Sequence, residues 1–446
     1  MDKLEMREFS QPGSRLPQVG WSQTDSSAMA SPRSPSEVPG QSAIMCLPER
    51  GGLRILHVLD TVAPEAGGPP EGVRMLVKSY RAMGTEVEVV CLDQPEASYV
   101  RNFPCKIHPL GQRFLGRYAF SPRLWTWLRT HASDYDGIVM NGVWTFPGLS
   151  LYLATRRTGR RYGIFTHGAL DPWFNRHYRL KHLKKILYWP VQYTVLRNAK
   201  AVFFTTPTER DLAKTSFWPN AWASTVVPYG LYDPEEEGAD PERQVEAFGS
   251  QFPRLRGRHF LLFLGRIHEK KGCDLLLQAF AGVAEDAPDV DLVMAGPDQV
   301  GLRAGLEKQA SQIGISDRVH WTGMLSGDLK WGALRSCDAF VLPSHQENFG
   351  ISVVEALAVG RPVLVSNQVN IWQQVVEDQV GMAEEDTQAG TTRLLRRWFD
   401  LPESERCQMA ARARACFLTR FNMKRAAAVI SAIFSSEPAG TGQAAV

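Results

Sequence analysis

No apolar run in this chain approaches the roughly 18 residues that a membrane span needs. Nor does a basic segment followed by an apolar core open it: "MDKLEMREFSQ" mixes acids with bases, so no secretory signal is expected. Cysteine is sparse. The seven at 46, 91, 105, 273, 337, 407 and 416 include no CxxC pair, which argues against a zinc site and for reduced thiols in the cytoplasm. Neither half carries G-x-G-x-x-G after its first apolar strand, which disfavours a nicotinamide-dependent dehydrogenase.

What is present is enough chain for two full cores. The 446 residues are 44% hydrophobic and 22% charged, ordinary values for globular protein. The net charge of +3 is unevenly spread: residues 97–208 hold seventeen Lys/Arg against three Asp, a net +14 that leaves −11 for the remainder. An anionic partner for the first half is expected.

Residues 1–50 are rich in Ser, Pro, Gly and Gln and are expected to form a disordered tail. Order begins with "LRILHVLD", a strand, followed by the Gly/Pro loop "APEAGGPPEG", the helix "VRMLVKSYRAMG" and the strand "EVEVVCLD". "GIVMNGV", "YGIFTHG", "AVFFTT" and "STVVPYG" continue the strands, mostly with helical segments between them. After 233–257, read as an interdomain linker, alternation restarts with "HFLLFLGRI", "VDLVMAGPD", "VHWTGM", "DAFVLPS" and "RPVLVSN". The fold class is α/β: two doubly wound, Rossmann-like parallel sheets, at 51–232 and 258–415, facing a cleft. A helix over 416–434 is expected to return toward the first domain, leaving 435–446 as a flexible tail.

"HQENFGISVVEALAVGRPVL" places Glu347 and Glu355 on either side of a helix start, seven residues between them. The free amides near Asn348 to Ser352 form an anion site. A carboxylate beside a bound anion is tolerated if it accepts hydrogen bonds from neutral hydroxyls. A nucleotide sugar, with phosphates between two hydroxyl-rich groups, satisfies both acids. A plainer reading also fits: Glu347 favoured by the helix dipole and Glu355 solvated. In "FLGRIHEKKG", Arg266 and Lys271 follow the first strand of the second lobe and face the crevice where a pyrophosphate needs neutralising charge; a solvated basic loop is the alternative.

In order and spacing, "GRIHEKKG", "AGPD", "VHWTGM" and "PSHQENFGISVVEALAVGRPV" resemble the second lobe of the family-four retaining glycosyltransferases of GT-B fold. "AGGP", "THG" and "PYG" match the first lobe, and the resemblance covers about 51–434. It implies that Arg266 and Lys271 hold the donor diphosphate, that Glu347 binds hydroxyls of the transferred sugar, and that Glu355 binds ribose hydroxyls. It also implies that Gly265, Ile351 and the amides of Asn348, Phe349 and Gly350 line the donor site, and that His167 contacts the donor sugar. Gly67 and Gly68 would offer amides to phosphate or acceptor, since Pro69 and Pro70 have none, or would simply form a tight turn.

The implied activity is retaining transfer of a hexose from a UDP- or GDP-linked donor to a glycan or lipid-linked glycan, in surface or exopolysaccharide biosynthesis. No cofactor, no metal and no nucleic acid partner is expected. The alternative is a catalytically inactive GT-B protein serving as a sugar-nucleotide sensor or assembly partner.

Other features are read more plainly. "TPTERDL" is a capping box, with Thr206 as cap and Glu209 without a chemical role. "DVD" (289–291) resembles a metal-binding DxD but precedes a strand at the end away from the cleft. Tyr229 and Tyr232 stand where the family commonly has Asn and Asp. "RHYRLKHLKKILYWPVQYTVLRNAK" holds no acid, and its interleaved apolar and basic residues fit either peripheral contact with an anionic membrane, at the cytoplasmic face, or an ordinary packed helix.

Overall fold

Alternating apolar and amphipathic segments become parallel strands with helices between them in the computed structural model, which describes residues 52–435 apart from 112, 178 and 228. The tail expected over 1–50 lies outside the described residues, as does 436–446. The first sheet contains β1 (Arg54–Val58), β2 (Glu86–Cys91), β3 (Lys106–Pro109), β4 (Gly137–Asn141), β5 (Arg161–Phe165), β6 (Ala201–Phe204) and β7 (Ser224–Val226). The second contains β8 (His259–Leu264), β9 (Val290–Ala295), β10 (Val319–Gly323), β11 (Ala339–Leu342), β12 (Val363–Ser366) and β13 (Gly381–Glu384). The GT-B fold class is the one observed: two Rossmann-like sheets with helices around them.

Strand order is β3-β2-β1-β4-β5-β6-β7 in one sheet and β10-β9-β8-β11-β12-β13 in the other. Both reverse direction beside their first strand, between β1 and β4 and between β8 and β11, and a doubly wound sheet opens its ligand crevice at that reversal. Central strands such as "HFLLFL" and "AFVL" are apolar on both faces because helices cover both. The loops that matter here therefore follow β1, β4, β5, β8 and β11.

Within 233–257, read from sequence as a linker, residues Pro241–Gln251 form a helix capped by Asp240, whose side chain accepts the Arg243 N–H. This helix packs so closely on the second-lobe helix Gly327–Ser336 that a Cβ on Gly332 would lie 2.0 Å from the Gln244 carbonyl. The chain crosses back after the helix Glu403–Arg420. There Leu231 N–H donates to the Phe421 carbonyl at 3.0 Å and Met423 N–H to the Leu231 carbonyl at 3.1 Å. The last helix, Lys424–Ser435, buries Ala426, Ala427, Ile430 and Phe434 in a first-lobe core with Ile55 and Val139. Burying a side chain such as Phe434 is worth about 1.5–3 kcal/mol, enough to hold the helix on that lobe.

The "DVD" acids sit at the start of β9. Asp291 lies inside the strand rather than before it, buried and bonded by Arg258 at 3.1 and 3.2 Å and by His320 at 3.2 Å.

Candidate active site

The second-lobe half of the site begins where β8 ends. Gly265 N–H donates to the Ala295 carbonyl at 2.9 Å, extending the β8–β9 ladder by one residue before the chain turns outward. Arg266 is exposed at that turn. Lys271, at the end of the following 3-10 turn, forms an ion pair with Glu347 from the loop after β11. Their side chains are only 12% and 17% exposed, so the pair is largely shielded from solvent. Burial alone would raise the Glu347 carboxyl, but Lys271, Lys270 and Arg266 together hold it below the usual carboxylate range. The loop's backbone is pinned as well: Glu347 N–H donates to the Gln368 carbonyl and its own carbonyl accepts from Asn370, both at 3.0 Å.

Gly350 makes the turn into the helix Ile351–Ala358 at φ +75°, a conformation that costs a side-chain-bearing residue energy. The first amides of that helix have no intrahelical acceptor. Phe349 is buried, edge-on to Tyr229 at 5.4 Å and near Phe421 at 6.0 Å, and this anchors the loop from behind. Ile351 is 36% exposed. Glu355 is mostly covered and bonded to Lys330 Nζ at 2.7 Å, so it is not the freely solvated acid of the plainer reading.

On the first lobe His167 follows β5 with φ +46°, half-buried and stacked 5.3 Å from Phe165. Its Nε2 lies 3.4 Å from Asn141 Oδ1 at the end of β4. Asn141 Nδ2 in turn donates to His57 Nδ1 at 3.1 Å, and His57 Nε2 is 3.3 Å from the Tyr80 hydroxyl. An amide that donates to His57 presents its oxygen to His167. The network therefore assigns the His167 proton to Nε2 and leaves Nδ1 as an acceptor. Desolvation lowers His167 to about 4; burial and the neighbouring imidazole lower His57 to about 3. Both rings are neutral at pH 7.

The turn that carries His167 is held by a residue read from sequence only as a cap. Glu209 is buried, and its carboxylate accepts from Gly168 N–H (2.7 Å), the Thr166 hydroxyl (2.6 Å), and the N–H and hydroxyl of Thr205 (both 2.7 Å). The cap itself is present, with Glu209 N–H donating to Thr206 Oγ1 at 3.0 Å. Its larger task is electrostatic: one carboxylate satisfies four buried donors. The hint available in the sequence was an acid following a Thr-Thr pair. The spatial partner, forty-one residues upstream, was not visible there.

Three contacts join the lobes beside this turn. Asn348 Nδ2 donates to Thr205 Oγ1 at 3.2 Å, Gln346 Nε2 to Asp171 Oδ2 at 2.9 Å, and Thr208 Oγ1 to Gln373 Oε1 at 3.0 Å. Asn348 packs directly over Gly168, where an added Cβ would come within 2.7 Å of its side chain. His167 and the Glu347 loop are thus brought together, tied through Thr205 and Asn348.

Gly67, at φ +81°, precedes the helix Gly68–Ala82, and open space surrounds the Cα of both Gly67 and Gly68. The helix start is thus uncovered. One turn further on, Gly72 lies beneath Tyr229: a Cβ there would sit 1.3 Å from the phenol oxygen. Asp60, after β1, completes the first-lobe rim; desolvation raises it to about 6, against a hydrogen bond from Thr145 and the charge of Arg113.

Comparison with known proteins identifies the family of both lobes. Residues 247–415 match the family model for glycosyl transferases group 1, and residues 67–230 that for the glycosyl transferase 4-like domain. The chain is similar to a D-inositol 3-phosphate glycosyltransferase of Streptomyces avermitilis, 32% identical over 166 residues, which is 35% of this chain and 36% of that protein. It is also similar to the GDP-mannose:cellobiosyl-diphosphopolyprenol alpha-mannosyltransferase of Xanthomonas campestris, 26% identical over 71% of this chain and 79% of that one. Among solved structures, Anabaena HepE in complex with UDP and glucose superposes with a TM-score of 0.68 at 18% identity. That match covers 86% of this chain and all of HepE.

Proposed function

The chain belongs to the group 1 glycosyl transferases of GT-B fold, and we propose that it transfers a hexose, with retention, from a UDP- or GDP-linked sugar to a glycan or lipid-linked glycan. The observation that carries this reading is the largely shielded Lys271–Glu347 pair beside a helix start with no side-chain cap, with neutral His167 tied to the same loop through Asn348.

In the proposed reaction Arg266, Lys271 and the helix-start amides of Asn348, Phe349 and Gly350 receive the donor diphosphate. They stabilise its growing negative charge as the glycosidic bond breaks. Gly265 and Ile351 border this site. When Lys271 turns toward phosphate, the Glu347 carboxylate is freed to accept hydroxyls of the transferred sugar. His167 accepts another through Nδ1. Glu355, orientated by Lys330, accepts the ribose hydroxyls. The incoming hydroxyl attacks from the face the diphosphate leaves, and the departing phosphate oxygen takes its proton. Gly67 and Gly68 offer amides to phosphate or acceptor. No metal is called on in this scheme, so chelators should leave the rate largely unchanged.

Support for a lipid-linked acceptor comes from the surface. On the helix Arg179–Arg197, Leu180 (83% exposed), Leu183, Ile186 and Leu187 (80%) project outward among Lys181 and Lys184. Among the described residues no helix is long and apolar enough to cross a membrane, so contact would be peripheral, through apolar insertion and attraction to anionic lipid. The polyprenol-linked acceptor in the name of the Xanthomonas relative agrees with this reading.

The test is a thermal-shift panel of nucleotide sugars followed by turnover. A donor that stabilises the protein and is then consumed with retention supports transfer. A donor that stabilises it but is never consumed would favour an inactive sensor.

A further inference from the structure

Where the chain first passes between the lobes, the turn "DPEEE" (233–237) carries four acids, and each of them meets a cation. Arg414, on the second-lobe helix Glu403–Arg420, donates through Nη2 to both oxygens of Asp233 at 2.7 and 2.6 Å and to Glu235 Oε2 at 2.8 Å. Glu236 pairs with Lys424 at 2.6 Å, and Glu237 pairs with Lys78. Lys78 lies on the first-lobe helix Gly68–Ala82, and Lys424 opens the last helix, which is buried in the first-lobe core. Two acids of one turn thus hold the second lobe and the other two hold the first.

The turn is rigid in itself. Glu235 N–H donates to Asp233 Oδ1 at 3.0 Å, and the N–H groups of Glu237, Gly238 and Ala239 donate to the carbonyls of Asp233, Glu235 and Pro234 at 3.1, 3.1 and 3.0 Å. Tied to Arg414, Glu236 and Glu237 move with the second lobe, whereas their lysines move with the first. Separating the lobes therefore pulls these two pairs apart. Arg414 also reaches the donor side: its Nη1 donates to the Ala358 carbonyl at 2.8 Å, at the end of the helix Ile351–Ala358. A guanidinium there satisfies a carbonyl the helix leaves open and complements the negative end of its dipole.

The two sides of the turn differ in their access to solvent. The Asp233 and Arg414 side chains are 6% and 23% exposed. Those of the outer pairs are 42–57% exposed, and they border a cavity of about 370 Å³, lined also by Ser79, Met83 and Tyr232, that solvent ions can enter. Salt weakens exposed pairs and leaves shielded ones largely intact. The outer pairs are therefore the ones that ionic strength loosens, while Arg414 keeps the turn on the second lobe. At the cleft the lobes are joined by three hydrogen bonds, each with an uncharged side chain donating.

We propose that the turn 233–237 is an ionic latch: its outer pairs, Glu236–Lys424 and Glu237–Lys78, hold the lobes in the arrangement that sets His167 against the Glu347 loop, and ionic strength sets how much of the protein adopts it. The latch acts on the lobes with or without a ligand, so it stands apart from the transferase reading. A ligand gripped by both lobes binds the latched arrangement best, and its affinity falls as that arrangement is depopulated.

The test reads lobe arrangement and ligand binding separately on the full chain, with folding checked by circular dichroism. In small-angle X-ray scattering at low salt, Glu236→Gln/Glu237→Gln should have a larger radius of gyration than wild type. Wild type should approach that value in about 1 M salt, where screening acts beyond about 3 Å, and the double variant should change little. Glu237→Lys alone should expand the protein at low salt, and adding Lys78→Glu should reverse the expansion, which a mere loss of packing would not allow. The Kd of the nucleoside diphosphate that most stabilises wild type should rise about threefold or more in the double variant at low salt, the scale of two lost exposed pairs, and the two proteins should converge at high salt. Equal radii and an equal salt response in wild type and double variant overturn the proposal. A wild type that binds no nucleoside diphosphate counts against the transferase reading, and the scattering still decides the latch.

Discussion

Glu209 Oε1 accepts the Gly168 N–H at 2.7 Å, so an acid on one helix sets the backbone that carries His167. Replacing it with Gln puts N–H donors against the N–H and hydroxyl groups it now satisfies. Charge-assisted hydrogen bonds are worth about 1.5–3 kcal/mol, and stranded buried donors cost about 1–3 kcal/mol each. Glu209→Gln should therefore lower stability by about 2–4 kcal/mol in urea unfolding. At a temperature where it remains folded, it should also lower kcat more than it raises donor KM. An unchanged kcat in folded protein would reduce Glu209 to a helix cap.

Gly72 and Tyr229 should behave as a matched pair. In an exposed helix, Gly→Ala gains about 0.5–1 kcal/mol; here the new methyl would strike the Tyr229 phenol. Gly72→Ala should destabilise, and Gly72→Ala/Tyr229→Asn should recover much of the loss. A coupling energy of about 1–3 kcal/mol is expected from the double-mutant cycle. Strict additivity would show that the two do not share the space.

The lowered histidines predict a pH dependence with a definite sign. His57 and His167 titrate near 3 and 4 when folded and near 6.5 when unfolded. The unfolded chain thus binds more protons below pH 6.5, and stability falls as pH drops from there toward 4. Asp60, raised to about 6, acts in the opposite sense between about 4 and 6, so the clean comparison is with a variant. In His57→Gln the pH slope should be smaller by up to about 1.4 kcal/mol per pH unit, one proton's worth. Parallel slopes for wild type and variant would contradict the buried neutral imidazole.

Much of the fold was legible because its strands are buried on both faces and read as unbroken apolar runs. The runs around Ile55, Val89, Val139, Phe203, Leu262, Val293 and Val341 all became strands. Two that were not read, β3 "KIHP" and β13 "GMAE", lie at sheet edges, where burial no longer imposes an apolar pattern. The Pro241–Gln251 helix escaped notice because charged residues hide the narrow stripe of Gln244 and Phe248 that it buries. That Glu347 and Lys271 come together, as their ion pair shows, was readable from motif spacing. His57, Asn141 and the true work of Glu209 were not, since each depends on a partner that only the sheet brings near.

The projecting face of the Arg179–Arg197 helix should bind anionic vesicles. Each basic residue near such a surface contributes about 1 kcal/mol, and each buried aliphatic side chain adds more. Leu183→Asp/Leu187→Asp should abolish cosedimentation with anionic vesicles at low salt while leaving the affinity for nucleoside diphosphate unchanged. Equal sedimentation of wild type and variant would remove the membrane from the account.

The most direct test of the central claim follows donor turnover by proton NMR in wild type and Lys271→Ala, with the best-stabilising nucleotide sugar and the acceptor that gives turnover. Release of nucleoside diphosphate and a product anomer matching that of the donor are expected. In the variant the rate should fall by about a hundredfold or more, because the charge opposing the leaving group is gone. Wild-type rates in folded Lys271→Ala, or inversion at the anomeric carbon, would contradict it.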